Sequence, residues 1–487
     1  METLKWEWQT QEQTQEVKLS DGMPDIGRIL CTRGQVILRG KEWQSGGLTI
    51  NGGTMVWVQY LPENGEMAQC LSCWIPFQMR WQFPQEAPDG KILTQCLLKS
   101  LDARTTSARK LMVRANVSVL AYALQNREVE CAIPKDLPED IRLRWEEYPV
   151  QLPREAGEKA FSLEETLTLP PSAHPMERLI CGQTHMQITE QKIVADKLIF
   201  RGTALVHILY QGEDGGQYSW DFEVPFSQYS ELDNTYDGEA QALIWPGITG
   251  LEMETQAGQI HWKAGLLCQY RISDRPLIRV VTDAYSPNRE IRLTTEQLQL
   301  PAVLESRSQN LQMQTGAAKD GLRLADVTCI LQPPQLQTGE SAVQVELPGS
   351  FQVLYYDAEG VLREQQMPMQ EQMSLPADST CTLQATVWPW NKVQGSLMGG
   401  NLQLQAERVL QLDTLMSAGI PMVTGLEAGE LRQADPNRPS LILCRMGEKS
   451  LWELAKATGS TVEDICQANR ITETPDPDKM LLIPVRA

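Results

Sequence analysis

The sequence has no long apolar run and no cluster of basic residues, and these two absences exclude whole classes of protein. No apolar stretch in the 487 residues approaches the ~20 residues that a membrane-spanning helix requires. Lys and Arg number 43 against 62 Asp and Glu, which gives a formal net charge of −19. Because such a surface repels a polyanion, we expect no nucleic-acid binding. Apolar residues still make up 42% of the chain, which is typical of a protein with hydrophobic cores.

The sequence also lacks the pattern of a secretory signal and that of a disulfide framework. Residues 1–17 are polar and rich in Gln and Glu, without the basic start and apolar centre of a signal peptide. The 11 cysteines are odd in number and scattered through apolar segments, which is typical of free thiols in a reducing compartment. The sequence therefore predicts a cytoplasmic protein without disulfides or a transmembrane segment.

Motifs of catalysis are absent as well. The sequence contains no HExxH, GxSxG, GxGxxG or P-loop pattern, and its four histidines do not recur at equivalent places in similar segments. Cys70 and Cys73 form a CxxC pair, but a zinc site needs further ligands at a defined spacing and none follows. On a strand their side chains point to opposite faces, which favours two ordinary strand cysteines over a metal or redox site. We expect no enzyme, no cofactor and no metal.

Three segments of the chain resemble one another. In each, a β-rich run ends in Tyr and a Gly follows five residues later. The pairs are Tyr60/Gly65, Tyr210/Gly215 and Tyr355/Gly360, so that the tyrosines are 150 and 145 residues apart. A second strand-like run follows each Gly, and this order predicts three β-hairpins. A chain built by triplication explains the constant spacing.

The similarity extends upstream in two of the three segments. Leu19 to Leu30 (LSDGMPDIGRIL) aligns with Leu169 to Ile180 (LPPSAHPMERLI), including Arg28 with Arg178, whereas the third copy keeps only a Leu-Pro start. In the first copy, Pro and Gly predict a turn before Arg28. Ile26, Ile29 and Leu30 have the spacing of one helical turn that packs on a sheet, which favours a structural role over direct binding.

The fold class predicted from these patterns is mainly β: three tandem β-sandwich-like repeat domains followed by a small βααβ domain. Late strands with alternating apolar and polar residues, such as residues 401–412, indicate sheets with one solvated face. The predicted domains are listed here by residue number: repeat 1 over 1–150, repeat 2 over 151–290, a degenerate repeat 3 over 291–428, a linker over 429–439 and the small domain over 440–487.

The small C-terminal domain is predicted to be helical at its centre. Ser450 to Glu453 and Ser460 to Glu463 both have the S/T-x-x-E spacing of a capping box, which marks the start of a helix. Gly459 lies where the first helix must end in a left-handed residue. Strand-like runs at Leu441 to Arg445 and Met480 to Val485 complete a βααβ order.

Two parts of the chain resemble known families. Leu451 to Ile471 (LWELAKATGSTVEDICQANRI) followed by MLLIP resembles a LysM domain. The Leu-x-x-Gly-x-Pro-Asp-Ile-x-Arg-Ile-Leu stretch from Leu19 to Leu30 resembles SPOCS-type sporulation domains of spore-forming Firmicutes. SPOCS-type repeats followed by a LysM domain are similar to the architecture of the spore-coat morphogenetic proteins of clostridia.

This resemblance implies a non-enzymatic sporulation scaffold in the mother-cell cytoplasm, located at the forespore surface and in the spore coat. The implied partners are a morphogenetic ATPase of the coat basement layer and other coat proteins. The alternative is a cell-wall-associated protein that binds peptidoglycan through N-acetylglucosamine, with weak glycan binding by the LysM domain.

The LysM resemblance also implies where a ligand would bind, in a groove between loops at Gly447–Ser450 and 472–479. LysM domains that bind glycan usually carry Gly-Asp-Thr/Ser directly before Leu-Trp, whereas this chain has Glu-Lys-Ser. We therefore expect a protein partner. The predicted contact residues are Lys449, Ser450, Trp452, Lys456 and Arg470, of which Trp452 has the alternative role of a core residue.

Overall fold

The structure, a computed structural model, confirms the mainly-β fold class. It describes residues 1–487 except 66, 128–136, 319–320, 340–341, 377–380, 390–392, 399, 433–438, 472–475, 477 and 486–487. The strands of the N-terminal half are β1 Glu2–Lys18, β2 Ile26–Gln44, β3 Gly47–Pro62, β4 Gln69–Gln82, β5 Lys91–Ser107, β6 Lys110–Gln125, β7 Arg142–Pro149, β8 Leu152–Leu167, β9 Met176–Gly212, β10 Gln217–Tyr236 and β11 Gln241–Gln256. The remaining elements are β12 Gln259–Asp274, β13 Leu277–Tyr285, β14 Arg289–Ala318, β15 Gly321–Leu331, β16 Gln335–Thr338, β17 Ala342–Asp357, β18 Leu362–Pro376, β19 Cys381–Pro389, β20 Gln394–Met398, β21 Asn401–Leu431, β22 Leu441–Arg445, α1 Leu451–Thr458, α2 Val462–Asn469 and β23 Met480–Pro484.

The chain divides into two compact units, each made of separate stretches. Unit 1 consists of a first segment, Met1–Asn126, a second segment, Gln151–Arg275, and a third segment, Pro301–Met416. Unit 2 consists of Arg127–Val150, Pro276–Leu300 and Ser417–Ala487. The assignment of residues to three repeat domains stays a prediction.

Strand pairing in unit 1 follows the same order three times. The first segment contains the sheets β2-β3-β4 and β1-β6-β5, and the second contains β9-β10 and β8-β12-β11. In the third segment, β17 pairs with β15 and β18, and β21 pairs with β14 and β19. The long strand β9 takes the place of β2 and β3. It contains Ala195 at a positive φ of 55°, and Thr189 donates a hydrogen bond to the Arg201 carbonyl at 3.3 Å, so that β9 folds back on itself.

The three predicted hairpins are confirmed. Antiparallel pairing joins Tyr60 to Gln69, Tyr210 to Tyr218 and Tyr355 to Arg363. The glycine of each connecting loop has a positive φ: 74° at Gly65, 77° at Gly215 and 75° at Gly360. A residue with a Cβ adopts this conformation at a cost, which is the physical reason for a glycine at this spacing.

The helical turn predicted at Ile26 to Leu30 is wrong. Residues 21–23 do form a turn, in which the Met23 amide donates to the Ser20 carbonyl at 3.0 Å, but β2 begins directly at Ile26. Ile26, Arg28 and Ile29 pair with residues of β3, with bulges between them. The bulges interrupt the two-residue alternation of a strand, and this produced the false helical spacing.

Unit 2 contains the βααβ module, defined here as residues 441–485. Strands β22 and β23 pair from Leu441–Pro484 to Arg445–Met480, at the predicted positions. Helix α1 ends at Gly459 in the left-handed conformation, as predicted, with φ 69°. The cap of α2 is Thr461, one residue after the predicted Ser460, since the Thr461 side chain accepts a hydrogen bond from the Asp464 amide at 3.1 Å.

Candidate functional site

The βααβ module has its own small apolar core, which fixes the residues predicted to bind a partner. Leu454, Ala455, Ile465, Leu481 and Ile483 are buried together, and Tyr285 of β13 belongs to the same cluster. The apolar residues of α1 and α2 lie on one face of each helix, and this face packs against the two-stranded sheet. The charged residues lie on the other side.

Ser450 serves the start of α1. Its hydroxyl accepts a hydrogen bond from the Glu453 amide at 3.2 Å, and the Glu453 carboxylate accepts one from the Ser450 amide at 2.8 Å. The Ser450 hydroxyl also donates to the Glu453 carboxylate at 3.0 Å, and the bonds that this carboxylate accepts from the Ser450 amide and hydroxyl lower the pKa of Glu453. The pair forms the capping box that the sequence predicts, so the Ser450 hydroxyl already has a structural partner.

Trp452 and Lys456 lie against strand β13. The Trp452 indole N–H donates to Asp283 Oδ2 at 2.8 Å, and its ring meets Tyr285 edge-on at a centroid distance of 4.8 Å. The Lys456 ammonium contacts both Asp283 oxygens at 2.7 and 2.8 Å. Burial alone would raise the pKa of Asp283, but the hydrogen bonds from Lys456 and Trp452 outweigh it and lower the pKa.

Lys449 and Arg470 remain on the surface of the module. Both residues are exposed, and the structure assigns neither side chain a hydrogen bond or an ion pair with a described residue. Arg470 caps α2 in the left-handed conformation at φ 50°, with its amide bonded to the Cys466 and Gln467 carbonyls. The loop at Gly447–Ser450 is described, whereas most of the predicted second groove loop, 472–475 and 477, lies outside the described residues.

The sequence analysis did not predict which residues Trp452 and Lys456 contact. Asp283 and Tyr285 lie about 170 residues upstream, in a strand that it assigned to the end of the second repeat. Tyr285 also donates a hydrogen bond from its hydroxyl to the Ser460 carbonyl at 3.2 Å. Nothing in the sequence near position 283 signals this contact, because a single Asp among strand residues is typical of a solvated face.

A second concentration of polar side chains lies in unit 1, where its three segments meet, with Arg33 and Asp326 fully buried at its centre. We name it the ionic junction, and its members are Arg33, His207, Asp221, Asp326 and Glu364. Arg33 donates to Asp326 through Nε at 3.0 Å and Nη2 at 2.8 Å, and it also pairs with Glu364. His207 contacts Asp221 at 2.7 Å and Asp326 at 2.8 Å.

The carboxylates of the ionic junction keep His207 protonated. Burial by itself would lower the pKa of His207, but the charge of Asp326 and hydrogen bonds to Asp221 and Asp326 raise it to about 10. The imidazole is therefore a cation near neutral pH, with both nitrogens donating to carboxylates, and it has no lone pair with which to accept a proton. His207 is therefore not available there as a general base.

Three arginines connect the segments of unit 1 in a closed order, and we name this set the arginine ring. Arg28 donates to the Leu362 carbonyl at 3.3 Å, Arg178 to the Ala68 carbonyl, and Arg323 to the Gln217 carbonyl at 3.2 Å. In each hairpin, the acceptor is the residue directly before the one that pairs with Tyr60, Tyr210 or Tyr355. The first segment thus donates to the third, the third donates to the second, and the second donates to the first.

The sequence analysis did not identify Arg323 as the counterpart of Arg28 and Arg178, although its spacing in the sequence indicates this. It follows Arg178 by 145 residues, the same interval that separates Tyr355 from Tyr210. The contacts of Arg28 and Arg178 agree with the structural role favoured for this stretch. The residues around Arg323 differ from the Pro-Asp-Ile pattern of the first copy, which concealed the match.

Cys70 and Cys73 both lie on β4 as free thiols. Burial raises the pKa of Cys70 to about 12 and that of Cys73 to about 11, so both are protonated near neutral pH. A protonated thiol is a poor nucleophile and a poor metal ligand. Throughout the described part of the chain, no group of three or more His, Cys, Asp or Glu residues is arranged to hold a metal ion.

The alternating pairs Trp6/Trp8 and Trp388/Trp390 in the sequence favour core residues over an exposed contact for a partner. The three of these tryptophans that the structure describes are half-buried or buried. Trp6 and Trp8 pack beside Tyr122, which Trp6 meets edge-on at 4.7 Å, and Trp388 is buried in the same cluster. Trp390 lies outside the described residues. These contacts favour the core role of Trp6 and Trp8 over an exposed aromatic contact for a partner.

Comparison with protein families connects the second segment to sporulation. Residues 175–254 match the family described as SipL, SPOCS domain. The matched SPOCS region contains Arg178 of the arginine ring, Tyr210 and Gly215 of the hairpin, and His207 of the ionic junction. The match indicates a sporulation-related protein. Neither the curated proteins nor the solved structures include a match to this chain.

Helices of the length and hydropathy needed to cross a bilayer do not occur among the residues that the structure describes.

Proposed function

We propose that this protein is a non-enzymatic scaffold or adaptor of sporulation. It links the basement layer of the spore coat, with its morphogenetic ATPase, to the forespore surface from the mother-cell cytoplasm. The observation that carries the proposal is the match of residues 175–254 to the SPOCS domain of SipL. The LysM resemblance of residues 451–484 adds a module suited to partner binding.

Two features of unit 1 support a scaffold in preference to an enzyme. His207 is held as a cation between two carboxylates, so its imidazole is not available as a general base. The three segments are joined by the arginine ring and the ionic junction, which suits a rigid platform. A scaffold needs such rigidity because it must hold partners at fixed positions.

Imaging of a fluorescent fusion in sporulating cells tests this function. We expect the full-length protein to form a ring or cap around the forespore. A second fusion, which lacks residues 441–487, should lose much of the ring or cap if the module captures the coat ATPase. Because this deletion uncovers Tyr285, the unfolding temperature of the shortened chain is measured beside that of the full-length protein. Uniform cytosolic signal, or septal signal in vegetative cells, would contradict the scaffold and favour the peptidoglycan-binding alternative.

Charge reversal on the module should weaken the capture of its partner. Within the predicted contact set, Lys449 and Arg470 are exposed, whereas Ser450, Trp452 and Lys456 already have partners in unit 2. We expect Lys449→Glu combined with Arg470→Glu to reduce binding of the purified coat ATPase about tenfold or more, because like charges placed at an interface repel. Titration calorimetry with the full-length chain measures the affinity.

Arg432→Glu provides the control for Arg470→Glu tested alone, since it makes the same single charge reversal at an exposed position outside the module. The unfolding temperature of all variants should stay within a few degrees of the parent protein. Equal loss of binding in Arg432→Glu would indicate a general charge effect. Firm co-sedimentation of the protein with purified peptidoglycan, unaffected by the two reversals, would instead favour glycan binding.

A further inference from the structure

The two-stranded sheet of the βααβ module has an apolar side that its own core does not use. Residues of β22 and β23 that lie directly opposite each other share one side of the sheet. The inner side carries Ile442, Cys444, Leu481 and Ile483, which pack with the helices. The other side, which we name the outer face, consists of the cross-strand pairs Leu441/Pro484, Leu443/Leu482 and Arg445/Met480.

The outer face is exposed, although five of its six residues are apolar. Leu441 is 50% exposed, Leu443 63% and Met480 49%. On strand β4, by contrast, the exposed residues at positions 78, 80 and 82 are Gln, Arg and Gln. Contiguous apolar patches on a protein surface mark sites of interaction more often than single exposed residues do. The outer face is therefore a candidate contact surface.

Arg445, the one charged residue of the outer face, is already paired. Its guanidinium forms an ion pair with Asp478 of the same module. An anionic partner would have to displace Asp478 to reach this cation, and it would then cover the neighbouring leucines with a charged group, which is costly. The occupant of the outer face must therefore present an apolar surface of its own.

The distribution of charge favours a second copy of the chain as this occupant. The whole chain has a formal net charge of −19, whereas residues 441–487 contain six Lys and Arg against seven Asp and Glu. Two copies that approach through their acidic parts repel each other, but two modules can meet with almost no net charge between them. A second copy also brings an apolar face of the same length and width.

We propose that the outer face is a homodimer contact, in which the β22–β23 sheets of two copies pack face to face about a two-fold axis. A two-fold contact uses the same patch on both copies, so it is complete without a third component. Leu443 and Leu482 form the middle pair of the ladder and therefore lie nearest the axis. The sheets are about 10 Å apart, as in a β-sandwich.

Charge also selects the orientation of the two sheets. Arg445 lies at one end of the outer face and Leu441 at the other. If the Arg445 end of one copy lies over the Leu441 end of the other, the two guanidinium groups are separated by the length of the strands. The opposite orientation would bring them together, and like charges at an interface repel.

The size of the outer face limits the strength of this contact. Two strands of five residues span roughly 17 by 10 Å, whereas a standard interface buries about 800 Å² on each partner. We therefore expect a weak dimer with a dissociation constant of about 0.1 mM. The dimer goes beyond the proposed function and does not depend on it. The residues proposed for partner capture, Lys449 and Arg470, do not belong to the outer face.

Sedimentation equilibrium of the full-length protein tests the dimer. Over loading concentrations from about 5 to about 300 μM, we expect the average mass to rise from that of one chain towards that of two. Leu443→Gln should weaken association at least tenfold, because the substitution changes both sides of the contact. Leu277→Gln is the matched control: this leucine is 65% exposed, on β13 of the same unit, and does not belong to the outer face.

Salt separates an apolar contact from an ionic one. Raising the NaCl concentration from about 50 to about 500 mM should strengthen the dimer, because salt screens the repulsion between two acidic chains and leaves apolar burial intact. A dimer that dissociates at high salt would refute the apolar contact.

Two further results would overturn the proposal. The first is a parent protein that stays monomeric up to about 300 μM, and loss of its binding to phosphatidylglycerol vesicles in Leu443→Gln would then assign the outer face to a lipid surface. The second is a dimer that Leu443→Gln weakens no more than Leu277→Gln does. If Leu443→Gln lowers the unfolding temperature, Leu441→Gln at the neighbouring exposed position decides the matter by the same criterion.

Discussion

Replacing Asp326 with Asn should lower the free energy of unfolding by about 3–5 kcal/mol, the cost of removing one partner from a buried ion pair. Asp326 is fully buried, and its carboxylate accepts from Arg33 and His207. The Asn amide would present donors to two groups that are themselves donors. Arg33 and His207 would then rely on Glu364 and Asp221, which are partly exposed.

Asp221→Asn is the control for this substitution, because it removes one hydrogen bond of His207 from a side chain that is 27% exposed. We expect it to cost about 1–2 kcal/mol. In thermal unfolding followed by circular dichroism, Asp326→Asn should lower the midpoint by about 4–8 °C. A loss no greater than that of Asp221→Asn would show that the ionic junction does not hold the segments together.

The stability of unit 1 should fall at both high and low pH. His207 causes the loss at high pH, and His185 contributes to the loss at low pH. Chiefly through Asp326, the pKa of His207 is raised from about 6.5 in the unfolded chain to about 10 in the folded one. Its stabilising contribution is therefore complete below pH 6.5 and is lost as the pH rises towards 10, by several kcal/mol in all.

His185 acts in the opposite direction. Burial lowers its pKa to about 4, so the folded protein keeps this imidazole neutral and loses stability as the pH falls from about 6.5 towards 4. Asp326 adds to the acid-side loss, since Arg33 and His207 hold its pKa far below the usual value despite its burial.

Urea unfolding at pH 5, 7 and 9 measures this profile. His207→Gln should destabilise the protein at every pH while flattening the decline above pH 7, and His185→Gln should flatten the decline below pH 6.5. A profile of the parent protein that is flat between pH 7 and 9, or one whose slope His207→Gln leaves unaltered, would contradict the assigned charge of His207.

The sequence predicts the fold class and the local elements well, because these depend on neighbouring residues. The Tyr-to-Gly spacing reports hairpins whose loops need a left-handed glycine, and the capping box at Ser450 reports a helix start within one residue. Each signal lies within about five positions of the structure that it predicts. The exception, the false helical turn at Ile26, arose where bulges disturb the local periodicity.

Contacts between distant parts of the chain could not be predicted from the sequence. Asp283 holds Trp452 and Lys456, and Asp326 joins Arg33 to His207, across intervals of more than 100 residues. The isolated sequence around such residues resembles any solvated strand, since the contact depends on how three segments assemble. Trp452 and Lys456 therefore fit the predicted surface by residue type, yet their side chains contact β13.

The closed order of the arginine ring has a consequence for biosynthesis. Arg28 and its acceptor Leu362 are 334 residues apart, so a ribosome working at about 5–20 residues per second needs roughly 20–70 seconds to deliver the acceptor after the donor. During that interval the first and second segments exist without the third, and the side chain of Arg33 has no access to Asp326. Maturation of unit 1 is thus a late event that follows translation of nearly the whole chain, and a nascent chain released early exposes the surfaces that the third segment covers.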